Sequence, residues 1–460
     1  NAVFTADIVK KTAGTSNFAA GVNAGDSIES GGNYNVAVGD EAGTALTTGD
    51  NNTFVGYAAG DAQTTASNNV AVGQNALGAN TTGTNNVAIG TGAVATCTTA
   101  GNHLVGIGYQ ALAAAADSQF CVAIGKDAGL SITSGDSNVL IGYHAGDAVT
   151  TGGANVIIGT AAGGAQTTAS ENVIIGNNAA NALTTGGQSI YIGDNAAASG
   201  TITGIRNVVV GDNALYSVVG AGGNIAIGYA SGNAVTSGDN NTLVGTASGD
   251  AITTGANNVA IGNDAGGAIT TASGALCLGQ LAGNNLTTGG GGNAIYLGQG
   301  SQASAADVGG HEVVIGPGTA KGANSVFVVA GGSVFKGDNG TAWAQTSDRR
   351  IKKDIQPNTK GLAEICQVDP KTFLYKSDEE LHEIPEFEGC AEGLPQNKRV
   401  TSAIAQEVQV PFPEAVTERN DYGMLSVNTD PIFWAMINSI KELSAQVDEL
   451  KDEIKLLKGE

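Results

Sequence analysis

The glycine that closes each Asn-apolar-x-apolar-Gly unit returns every 17 residues, with a few steps of 18 or 19, from Gly39 through Gly56, Gly73 and Gly90 to Gly298 and Gly316. A weaker unit ends at Gly21, which makes about eighteen repeats. A repeat this short cannot bury an apolar face alone, so the stable arrangement is a solenoid in which each turn covers the next. Within Asn86-Val87-Ala88-Ile89-Gly90 the two branched residues sit two apart and share one face of a strand, while Ala88 takes the other. The larger pair is expected to line the stacked core. Val156-Ile157-Ile158, Val173-Ile174-Ile175 and Val208-Val209-Val210 carry branched residues on both faces, so the second face is expected to be covered too, most simply by a neighbouring copy. Small residues in links such as Ala145-Gly146-Asp147-Ala148-Val149-Thr150-Thr151-Gly152 allow close approach of a second segment, and Gly, Asp and Asn suit tight turns. At about 4.8 Å per rung the array would extend roughly 85 Å.

The composition changes near residue 346. Residues 1 to 346 hold six Lys+Arg against 20 Asp+Glu, a balance of −14, and the remaining 114 residues hold 14 against 22, or −8. Both parts are acidic, so nucleic acid is not an expected partner. Seventy glycines with eight prolines and no Gly-X-Y period exclude collagen, and the regular apolar units argue against disorder. No run of eighteen apolar residues occurs, so membrane insertion is not expected. The sequence opens at Asn1 without a recognisable signal peptide, which leaves the export route unread and leaves room for a preceding piece. Cys97, Cys121, Cys277, Cys366 and Cys390 are scattered without CxxC spacing and read as small apolar fillers. His103, His144, His311 and His382 are isolated, and the Gly-Asp-Asn-Asn stretches at 49–52 and 238–241 lack the GGxGxDxUx period, so neither a metal nor a cofactor is expected.

The NVAIG and NNVAVG units, each followed by small residues, resemble the head repeats of trimeric autotransporter adhesins and are similar to shaft repeats of phage tail fibres. The likeness covers roughly residues 17 to 316 and implies a trimer of left-handed parallel β-rolls, although the usual adhesin unit is somewhat shorter.

Ser347-Asp348-Arg349-Arg350-Ile351-Lys352-Lys353-Asp354-Ile355 opens the C-terminal block. A serine five residues ahead of a lysine can supply a nucleophile and the base that activates it. Attack on the preceding carbonyl needs a neutral lysine, which partial desolvation and the like charges of Arg349, Arg350 and Lys353 favour. Asp348 and Asp354 either orient the lysine or cap a turn, with the turn role preferred.

With Gly361-Leu362, Asp369-Pro370-Lys371-Thr372-Phe373-Leu374-Tyr375, Ala403-Ile404-Ala405-Gln406-Glu407-Val408, Pro413-Glu414-Ala415-Val416 and a terminal helix, this block resembles, in the family's order, the intramolecular chaperone of endosialidases and other phage tail fibres and spikes. The resemblance implies a domain that trimerises, templates the fibre's folding and releases itself, with Ser347 as nucleophile, Lys352 as general base and Thr346–Ser347 as the broken bond. The implied enzyme is a Ser-Lys autopeptidase acting once in cis, with no turnover of an external substrate.

Phe433, Ile440, Val447 and Ile454 at heptad position a, with Met436, Leu443, Leu450 and Leu457 at d, make a coiled-coil seam over 433–458. Branched a with Leu d favours a parallel dimer, whereas the resemblance implies a trimer. The trimer is preferred, because a seam this short within a large assembly need not set the order alone. The alternative is a helix packed on its own domain.

The expected organisation is thus mainly β: a lead-in at 1–16, a trimeric parallel β-solenoid at 17–316, a distal β tip at 317–346 and an α+β chaperone at 347–460. Phe327, Phe335, Lys336 and Trp343 gather at the tip, either as a hydrophobic plug or as a contact for a cell-surface glycan or surface protein. The setting is extracellular, a virion tail fibre or a bacterial cell surface. A polysaccharide-degrading tailspike and an ice-binding Thr-rich solenoid are the alternatives. Against them, acids such as Asp40, Asp61 and Asp147 fall at turns, and adjacent threonines point to opposite strand faces.

Overall fold

The computed structural model describes residues 12–98, 101–288, 294–305, 312–319, 325–330, 333–337, 344–345, 354–374, 376, 399–419 and 424–459, and for the strands between 325 and 345 the backbone alone. The chain divides into two compact units, Asn1–Thr346 and Ser347–Glu460. In the first, seventeen three-residue strands run from Phe18–Ala20 to Ile295–Leu297. Each pairs in parallel with the strand one repeat later, so that Val87 meets Val105, Ala88 meets Gly106 and Ile89 meets Ile107. Glu312–Ile315 and Ser325–Ala330 continue the parallel sheet. Ser333–Gly337 and Ala344–Gln345 then pair antiparallel, which ends the succession of rungs. The result is a parallel β-solenoid.

The period follows from how closely one rung lies on the next. Gly56, which closes its strand, has a φ of +136°, and a Cβ there would lie 2.7 Å from the carbonyl oxygen of Gly73. Neither the dihedral nor the space admits a side chain, so glycine recurs at this corner.

The asparagine that opens each unit is buried and bonds rung to rung. Asn155 donates its backbone N–H to Asn138 Oδ1 at 3.0 Å and its side-chain amide to the Ala169 carbonyl at 3.0 Å, while its own Oδ1 accepts the Asn172 N–H at 3.1 Å. The same pattern runs from Asn17 to Asn86 and resumes from Asn138 towards Ala275, with Ser189 taking one position. These bonds satisfy backbone groups that the turns would otherwise leave buried and unpaired.

The strand faces are the reverse of the expectation. The middle residue of each strand points into the roll, and Ala88, Phe54, Ile157, Tyr191 and Val209 are fully buried. The flanking Val and Ile point outward and remain partly exposed, as at Val87 and Ile89. Volume explains the reversal. The interior takes one strand residue per rung together with a turn residue nine positions later, so that Ala37 is completed by Leu46, Ala123 by Ile132 and Ala260 by Ile269. Two branched residues per strand would overfill that space.

In the second unit a small core of Val408, Phe412, Ala415 and Ala435 gathers Ile365, Val368, Ala403, Val416, Val427 and Ile432 around it. The terminal helix, Thr429–Lys458, starts at Asn428, whose side chain accepts from the Asp430 N–H, and stops at Gly459 in the left-handed region.

Asn155→Ala removes one ladder member and strands the Asn172 N–H. We expect a loss of about 1–3 kcal/mol in denaturant unfolding, against a change within about 0.5 kcal/mol for the neighbouring surface variant Thr160→Ala.

Candidate functional site

Thr346, Ser347 and Lys352, with Asp348 and Trp343, lie outside the described residues. The boundary between the compact units falls at the Thr346–Ser347 bond. Just beyond it, Asp354 has a φ of +55° and its carboxylate accepts the Gln356 amide at 2.8 Å, which is a turn role. At the distal end of the array Phe327 pairs with Lys336 and Val328 with Phe335 across antiparallel strands, and their side chains lie outside the described residues.

Among the described residues, two of the pieces that carried the C-terminal resemblance, Gly361-Leu362 and Pro413 to Val416, meet the terminal helix. Leu362 donates its N–H to Glu442 Oε2 at 2.8 Å, and Asn438 donates to the Asn358 and Lys360 carbonyls at 3.0 Å each. Lys360 donates to the Pro411 carbonyl at 2.7 Å and lies over the Phe412 ring. Glu364 closes the short helix Leu362–Ile365 by accepting the Gly361 N–H, and that bond holds its carboxyl below the usual range. Segments separated by 80 residues, such as 358–362 and 438–442, are thereby held together.

Among the described residues nothing in the unit covers the opposite surface of the helix. All eight predicted seam residues, Phe433, Met436, Ile440, Leu443, Val447, Leu450, Ile454 and Leu457, are between 45% and 86% exposed. From Lys441 to Gly459 every residue is exposed, so among the described residues the distal half of the helix packs on no core. Full burial of such side chains is worth about 1.5–3 kcal/mol each.

A second uncovered apolar surface lies on the first unit. The outward Val and Ile of successive strands form a stripe two side chains wide and about 80 Å long at ~4.8 Å per rung, with Val55, Ile89, Ile124, Ile225, Ile227 and Ile261 among its exposed members. A stripe of that extent exceeds the few hundred Å² usual on a soluble monomer.

Other chemistry is sparse. Glu312 is buried, where it accepts from Tyr296 Oη at 3.1 Å and from the Ser304 N–H and hydroxyl, closing the last rungs rather than facing a groove. Among the described residues no group of three or more His, Cys, Asp or Glu side chains is placed to hold a metal ion. None of the described helices is long and apolar enough to cross a membrane. The first threonine of many pairs donates to the carbonyl of the next rung, as Thr150 does to Thr167 and Thr253 to Thr270 at 3.1 Å, so those hydroxyls serve the solenoid.

Sequence reasoning placed the terminal helix and overlooked the asparagine ladder. The signal was present, since Asn stands immediately before strand after strand, but an Asn beside Gly also suits a turn.

Residues 347–417 match the family model for the chaperone of endosialidase. The match begins at the first residue of the second compact unit. No solved structure matches the chain.

Burial pushes the thiols of Cys97 and Cys277 up to about 11 and about 12 and raises Cys121, whereas Cys366 is exposed. In a Cys390→Ser variant at pH 8 a disulfide-exchange reagent should therefore modify one thiol quickly and the other three only after unfolding. Fast reaction of a second thiol in the native protein would contradict this burial.

Proposed function

We propose that this chain is a fibre protein that assembles as a homotrimer, and that residues 347–460 template the assembly and are then released by self-cleavage. The observation that carries the reading is that the chaperone match, the boundary between compact units and the Ser-Lys motif all begin at Ser347. The two uncovered apolar surfaces support assembly: one on each unit, both made for a partner that repeats along the same length. A parallel coiled coil over 433–458 takes the helix seam, and the outward Val and Ile of the solenoid strands meet their counterparts in the neighbouring copies.

The chemistry assigned to the seam is an acyl shift followed by hydrolysis. Ser347 Oγ attacks the Thr346 carbonyl carbon while neutral Lys352 takes the hydroxyl proton. The C–N bond breaks, the proton passes to the departing amine of Ser347, and an ester remains. Water cleaves that ester to leave the Thr346 carboxylate and restore the serine hydroxyl. Ordering these groups in the assembled state would make cleavage report completed folding.

The released array would act outside the cell as an adhesive fibre of a virion tail or a bacterial surface. Its target is a cell-surface glycan or surface protein, with Phe327, Phe335, Lys336 and Trp343 at the distal end as the candidate contact.

Intact and native mass test this. The wild type should yield fragments 1–346 and 347–460, and Ser347→Ala and Lys352→Ala should both stay whole with the oligomer unchanged. An uncut wild type would remove the cleavage step and leave the C-terminal unit as a permanent clamp, and a monomer would sink the fibre reading. Leu443→Asp with Leu450→Asp should abolish assembly, reducing native oligomer at least about tenfold, because each places a charge in the seam.

A further inference from the structure

Each rung presents more than its two apolar side chains. Burial alternates along the segment Arg206-Asn207-Val208-Val209-Val210-Gly211-Asp212: Arg206 is exposed, Asn207 buried, Val208 partly exposed, Val209 buried, Val210 partly exposed and Asp212 exposed. Val208 and Val210 share the outward face of the strand, and Arg206 and Asp212 are exposed beyond its two ends. The outward Val and Ile are thus bordered by two ridges, one made of residues two before each strand and the other of residues two after it.

The ridges are mostly polar and uncharged, which makes their exceptions informative. Arg206, the sole arginine of residues 1–346, stands on the leading ridge. It donates to Gln188 Oε1 at 3.3 Å and makes no ion pair among the described residues. The trailing ridge of the same rung carries Asp212, and the preceding rung carries Asp194. Five rungs earlier the leading ridge bears exposed Phe120, and the trailing ridge of that rung bears Lys126. Lys126 already lies over the rings of Tyr109 and Tyr143 in the adjacent rungs.

Within one chain these partners stand on either side of the three-residue strand Val208–Val210, Arg206 in the left-handed region at a φ of +60° before it and Asp212 beyond the corner glycine Gly211 at a φ of +139°. In a closed assembly with its symmetry axis along the solenoid, equivalent residues lie at one height, and the leading ridge of one copy meets the trailing ridge of the next. The heptad seam favours that parallel arrangement over an antiparallel one.

We propose that the two ridges form an inter-copy lock that fixes the axial register, with Arg206 of one copy paired to Asp212 and Asp194 of the next, and Phe120 set against the Lys126 ammonium. This inference rests on the homo-oligomer reading. The Val and Ile stripe repeats almost identically from rung to rung and would tolerate a slip of one repeat. The lone arginine penalises such a slip, because a shift of one rung costs it part of its carboxylate pairing and a shift of a few rungs removes the pairing.

The test is a charge-exchange cycle in the full chain, with Arg206→Asp, Asp212→Arg and the double exchange, read as the dissociation rate of the native oligomer in guanidinium. Each single variant should dissociate about tenfold faster, and the double exchange should return to within about threefold of wild type. A second measurement joins Arg206→Cys and Asp212→Cys in one chain with a short bismaleimide, in a Cys366→Ser, Cys390→Ser background. Linked chains should appear on denaturing gels, and each single cysteine alone should give none. An oligomer of unchanged mass in which the two charge effects simply add and no linked chains form would overturn the lock while leaving the assembly standing. A monomeric wild type would instead sink the assembly reading and the lock with it.

Discussion

Rung-upon-rung stacking of the backbone is the constraint on which the rest of the first unit depends. Each turn of chain is too short to hold a core, so its stability comes from the turn before and the turn after. That demands close contact at the corner, where Gly56 sits against the Gly73 carbonyl, and pairing of buried backbone groups inside, where the asparagines pass hydrogen bonds from one rung to the next. A side chain at the corner or an apolar substitute in the ladder therefore affects neighbouring rungs as well as its own. Leu104 and Cys121 show how an interruption is tolerated. Leu104 still donates its backbone N–H to Asn86, and Cys121 donates its thiol to the Gly135 carbonyl.

Stacking also dictates what is left outside. A narrow interior takes the middle residue of each strand, and the larger Val and Ile are turned outward as a continuous apolar stripe. The terminal helix repeats that logic with another period. Ala435 and Ser439 face the small C-terminal core while the heptad positions remain uncovered. In both units the described residues leave organised apolar surface over, more than a soluble monomer usually exposes.

The C-terminal candidate was legible because several short pieces occur in a fixed order, and the fold explains that order. Gly361-Leu362, Ala403 to Val408 and Pro413 to Val416 come together on the helix through Glu442, Asn438 and the Phe412 core. The role of Asn was not legible, since a buried ladder and an exposed turn use the same residue. Nor was the place of Arg206 at the border of the outward face, which only the burial pattern of the folded rung shows.

By itself the sequence determined the period, the strand positions, the parity that separates Ala88 from Val87 and Ile89, the heptad spacing along the terminal helix and the change in composition near residue 346. Those are local properties, set by glycine dihedrals, side-chain alternation and helical spacing. Only the tertiary structure decided which parity class faces inward. Alternation groups residues by face without saying which face is inside. That choice belongs to the volume enclosed by the whole rung, where a strand residue must fit beside a turn residue nine positions away, and no segment of a few residues contains both.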